Sequence, residues 1–103
     1  TPEQYDTAVA SKKWNADAVT VISAYKDSLS KLSNFDANMA KETLETVTAS
    51  VGIGAGKILQ ALRLSITGAG AGPDLMMVME IIGQQEVVKR LDFALQTLKV
   101  KVA

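Results

Sequence analysis

Gly52-Ile53-Gly54-Ala55-Gly56-Lys57, GIGAGK, is the stretch on which the fold class turns. As a phosphate cradle it would need a β-strand before it and a helix after it, and so an α/β fold. As helix punctuation it leaves the chain all-α. A phosphate loop presents backbone N–H groups at a helix N-terminus, a lysine for the terminal phosphates and a following Ser or Thr hydroxyl for magnesium. Here Gly52 and Gly56 stand one residue too close together, and Ile58 occupies the hydroxyl position. The preceding KETLETVTAS carries helical spacing. The stretch is therefore read as the end of one helix and the approach to the next.

Working outward, apolar spacings of three and four recur, and no segment alternates long enough to make a strand. A short helix is expected over residues 3–13, with Pro2 near its first turn. From Asn15 to Leu32, the residues Ala18, Ile22, Tyr25, Leu29 and Leu32 fall on one helical face. Asp36 then suits an N-cap with Phe35 as its staple. The third helix turns Met39, Thr43, Leu44, Val47 and Val51 inward. Gly52 ends it, and Gly56 is expected to let the next helix begin close to its neighbour.

The fourth helix spans residues 57–66, with Ile58, Leu59, Leu62 and Ile66 as its core stripe. Gln60, Arg63 and Thr67 form its polar side. Leu64 lies opposite the stripe, which requires either a second covering layer or a partner. TGAGAGPD is a glycine-rich turn. The fifth helix is expected to hold Pro73 and Asp74 in its first turn and to stop at Gly83. The sixth covers residues 85–99 with Val88, Leu91, Leu95 and Leu98 inward. The fold class is all-α: five to six short helices in a compact bundle. Its core is expected to include Ile22, Leu29, Leu44, Val47, Leu62, Ile66, Leu75, Val78, Ile82, Leu91 and Leu95.

Composition narrows function. The 103 residues suit one domain, and 48% apolar content supplies a modest core. With neither Cys nor His, disulfides, thiolate metal sites, imidazole bases and Ser-His triads are all excluded. No apolar run approaches the ~18 residues of a membrane span. The N-terminus lacks signal-peptide architecture and an initiator Met, so the expectation is a soluble, intracellular piece of a longer protein. Net charge is zero, but residues 1–50 carry five Lys against seven acids and residues 51–103 carry six Lys or Arg against four. The C-terminal half is thus the better surface for a polyanion.

The run GKILQALRLSITG, the glycine-rich turn, PDLMMVMEIIG and VVKRLDFAL together resemble the C-terminal anticodon-binding region of bacterial glutamyl-tRNA synthetases. The resemblance rests on Gly56-Lys57, Leu62-Arg63, Thr67-Gly68, Gly72-Pro73, Leu75, Gly83 and Arg90-Leu91 at matching spacings. Tyr5-Asp6, Lys12-Lys13-Trp14 and Phe35 agree more weakly. One departure is Ala61, where the family usually has proline, which restores an N–H donor just before Arg63.

The resemblance implies a superhelical anticodon-binding domain over residues 1–103, with residues 1–14 as the link from a preceding helical domain. The arginine and leucine matching Arg63 and Leu75 meet the first anticodon base. The residues matching Gly72 and Pro73 approach the second, and Thr67 is carried over with them as a binding residue. Lys57 then opens the helix that presents Arg63. The resemblance also implies a cytoplasmic, monomeric partner of tRNA-Glu in a glutamate–tRNA ligase. ATP and Mg2+ would be needed in the parent's separate catalytic domain, with no catalytic residue, metal or cofactor in this chain. A protein-docking module using Leu64, Met77 and Ile81, or a structural module without RNA contacts, are the alternatives.

Overall fold

The structure, a computed structural model, describes residues 5–98. They form helices α1 (Thr7–Lys13), α2 (Ala16–Ser30), α3 (Ala37–Val51), α4 (Leu59–Thr67), α5 (Leu75–Ile82) and α6 (Gln84–Thr97), with a 3-10 turn over Ala55–Lys57. No strand occurs among the described residues.

Short polar side chains set where four of the helices begin. The carboxylate of Asp6 accepts from the N–H groups of Ala8 and Val9, that of Asp36 from Met39, and that of Asp74 from Met76 and Met77. The Asn15 amide oxygen accepts from Ala18. Each pairs a first-turn donor that the helix itself leaves open. Asp36 is the expected cap. Asp6 starts α1 later than expected, and Pro2 lies outside the described residues. Pro73 and Asp74 precede α5 and are not its first turn, because the Asp74 carboxylate can cap only from outside the helix.

The opening glycines resolve as helix punctuation. Gly52 adopts φ +73° and closes α3 by donating to Thr48 O. The Ile53 N–H also goes to Thr48 O, while Lys57 and Ile58 donate to Gly54 O and Ala55 O. These N–H groups are used within the connector and do not converge on a ligand. The shallow hollow beside it is bordered by Glu45, whose charge repels phosphate. The expected close approach at Gly56 is not found, since a Cβ there would meet nothing within 4 Å.

Helix α2 packs against α6 and α3, α5 lies on α3 and α6, and α4 sits between α6 and α1. Ile22, Leu29, Leu44, Val47, Leu62, Ile66, Leu75 and Leu91 are buried as expected. Val78, Ile82 and Leu95 are not fully interior; they are half-buried against that core, and Met79, Val87 and Ala94 take the interior positions of α5 and α6. Val87 is therefore the interior valine of α6, and Val88 is half-buried against the core. Trp14 is fully buried and donates its indole N–H to Leu98 O, joining the end of α1 to the end of α6. The Tyr25 hydroxyl donates to Ala40 O at 2.8 Å, and burial holds its phenol protonated far above the ordinary range.

Helix α4 departs most from the one-face expectation. Leu64 is fully buried, because α1 forms a second layer on the side away from the main core. Leu59 and Val51, expected inside, are instead exposed. Ala61 lies in the first turn of α4, where N–H groups lack a partner four residues back. Proline and alanine are thus interchangeable there for the helix ladder, and the departure leaves Arg63 in register.

Candidate nucleic-acid interface

Three side chains one helical turn apart on α4 hold the glycine-rich turn over residues 68–73. Gln60 reaches Gly70 O at 3.5 Å. Arg63 Nη1 donates to Pro73 O at 2.6 Å. Thr67 Oγ1 donates to Arg63 O and accepts from Ala69 N–H at 3.2 Å. From the other side, Asp6 N–H donates to Gly68 O at 2.7 Å. A Cβ on Gly70 would stand 2.6 Å from Val9 Cγ2, so α1 and the turn meet where only glycine fits. Gly72, at φ +155°, leaves a Cβ position 3.2 Å from Arg63 Nη1. The turn is a braced ledge.

Beside it opens a cleft of about 660 Å³ between α3, α4 and α5, bordered by Arg63, Leu75, Asn38, Lys41, Leu59 and Met77 among others. Of the sequence-derived site residues, the structure brings Arg63 and Leu75 into this cleft, with Pro73 and Gly72 against the guanidinium. Thr67 stays at the base of the ledge. Leu75 is 5% exposed and forms floor. The accessible apolar surface comes from Leu59 and Met77, at 41% and 46%. Asn38 and Lys41 reach the cleft from α3. No spacing in the sequence pairs α3 with α4, so they were not legible as site residues.

The cleft carries charge of both signs, Lys41 and Arg63 against Glu45 and Asp74. Asp74 borders it, but its carboxylate accepts from two α5 N–H groups, which offset its charge. Arg63 has no acidic partner among the described residues. Of its five N–H donors, those on Nε and Nη2 have no partner there. A fork fixed at one nitrogen and open at the others can meet a base edge or a phosphate. Arg90, the other arginine, differs: Nε meets Glu86 at 2.8 Å and Nη1 meets Ile66 O at 2.9 Å. That hydrogen bond also holds the Glu86 carboxyl below its ordinary range.

A family model of the anticodon binding domain matches residues 1–95, nearly the whole chain. The chain belongs to this family. Among relatives of this anticodon-binding chain, a glutamate–tRNA ligase of Cytophaga hutchinsonii is 55% identical over 98% of it. One from Amoebophilus asiaticus is 34% identical over 94%. The chain spans about one-fifth of the length of these relatives, at 20% and 19%. A solved glutamate tRNA ligase from Elizabethkingia meningosepticum, in complex with its amino acid, superposes with a TM-score of 0.87 at 33% identity. That match covers 96% of this chain and 20% of the ligase. No helix among the described residues is long and apolar enough to cross a membrane.

Proposed function

We propose that this anticodon-binding domain receives the anticodon loop of tRNA-Glu as a module of a glutamate–tRNA ligase. Its relatives of that name supply the tRNA and the amino acid. The observation that carries the reading is the half-latched Arg63 at the mouth of an apolar-walled cleft. Specific RNA recognition acts on unstacked single-stranded bases, through hydrogen bonds to their edges and contact with their faces. In this reading the first anticodon base enters the cleft between Leu59 and Met77, above Leu75, and its edge meets the open donors of Arg63. The second base lies over Gly72 and Pro73, where Gly72 has no side chain to block its approach to the backbone.

ATP-dependent charging of tRNA with glutamate then belongs to a catalytic domain outside this chain. That domain would use ATP and Mg2+. Among the described residues, no group of three or more His, Cys, Asp or Glu side chains could hold a metal ion. Residues 1–14 lead from a preceding helical domain, which reads the third base, and the ligase acts as a cytoplasmic monomer. The test is a titration of the chain with an anticodon stem-loop and with variants at each loop position. Replacing the first anticodon base is expected to weaken binding by about ten- to a hundredfold, the range of one specific contact. Equal affinity for every base at that position would overturn the reading.

A further inference from the structure

The far side of the braced ledge carries a second depression, of about 340 Å³, lined by Ala8, Val9, Lys12, Lys13 and Gln60. It shares the ledge with the cleft: Gln60 bonds Gly70 O from this side, and Arg63 bonds Pro73 O from the other. Its lining contains two cations and no anion, whereas the cleft contains both Glu45 and Asp74. Both lysines are exposed at the end of α1, and neither has a salt bridge or hydrogen bond among the described residues. Helix α1 cannot swing away freely, because Trp14 is buried and bonded to Leu98 O and Val9 is wedged against Gly70. The backbone that carries the two lysines is therefore held at a fixed place beside the ledge.

From this juxtaposition we infer that Lys12 and Lys13 form a phosphate-binding site for the single-stranded RNA backbone as it crosses the ledge from the cleft. The inference rests on the proposed reading of the cleft. Every nucleotide carries one phosphate, so a base seated beside Arg63 brings its neighbours' phosphates over residues 68–73. On the far side they meet two unpaired cations on a rigid support. Such contacts fix position and carry no sequence information. They release condensed counterions, so affinity falls with salt by a slope of about 0.7 per phosphate on single strands.

The experiment is a salt titration of stem-loop binding to the 103-residue chain and to its Lys12→Gln/Lys13→Gln variant. Lys31→Gln/Lys89→Gln, which removes two other exposed lysines, is the control. The Lys12/Lys13 variant is expected to lose roughly fivefold in affinity per lysine at 0.1 M salt, with the slope reduced by about 1.4. The loss should be the same factor for every anticodon sequence. Lys12→Arg/Lys13→Arg should restore it, and thermal stability should be nearly that of the wild type. An unchanged slope overturns the proposal, and so does an equal loss in the control. If the variant loses slope while the wild type ignores the first base, the phosphate site stands and the base reading falls. A wild-type chain that binds no stem-loop overturns both.

Discussion

Arg63 and Arg90 occupy equivalent-looking positions, each on the flank of a helix and each donating Nη1 to a backbone carbonyl. At Arg90 a carboxylate and a carbonyl are both engaged: Glu86 takes Nε and Ile66 O takes Nη1, which ties α6 to the end of α4. At Arg63 one nitrogen braces Pro73 O, and the guanidinium borders the cleft with no ion pair among the described residues. Both belong to the stretch that carries the family resemblance, yet the chemistry left over differs. An arginine paired with a carboxylate and bonded to a second helix is a structural tie. One with donors open beside apolar surface is equipped to bind.

The largest expected effect breaks this contrast on the binding side. Arg63→Ala should lower affinity for the cognate stem-loop by about ten- to a hundredfold, and should remove most of the discrimination at the first anticodon base. A preserved base preference in the variant would return Arg63 to the structural class. Next, Arg90→Ala strands Ile66 O and should cost about 1–2 kcal/mol of stability, read in a chemical denaturation curve. Base discrimination by the folded variant should be unchanged. Gly72→Ala should have the smallest effect, roughly 1 kcal/mol of stability from its positive φ. Its Cβ would crowd Arg63 Nη1, so discrimination at the first base should weaken more than total affinity does. A uniform loss at all loop positions would mean that Gly72 shapes the ledge and not the fork.

The boundaries that sequence reading placed well are those fixed by local chemistry. Asp36 and Gly52 act through backbone groups within a few residues, so their caps are written in the neighbouring letters. Leu59 was misplaced for a different reason. Periodicity assumes one buried face, and α4 is covered on two sides. Val87 and Val88 show the same limit on a smaller scale, since adjacent valines fit spacings of three and four equally well. At the site, Arg63 and Leu75 were reachable through the family pattern. The α3 wall, with Asn38 and Lys41, arises from packing between distant segments, which no local spacing encodes. The bracing of the ledge by Gln60 and Thr67 was visible only as a shared polar side.

The hydrogen bond from Arg63 to Pro73 O also bears on timing. A free arginine side chain gives up rotamer entropy worth roughly 1.5–2 kcal/mol when it is immobilised. Here much of that ordering takes place as the domain folds, before any nucleotide arrives. On the proposed reading, an incoming strand meets a guanidinium already latched and a turn already shaped. Affinity gained in this way reflects preorganisation, and it should appear mainly as slow departure of the RNA, with no slow rearrangement step on arrival.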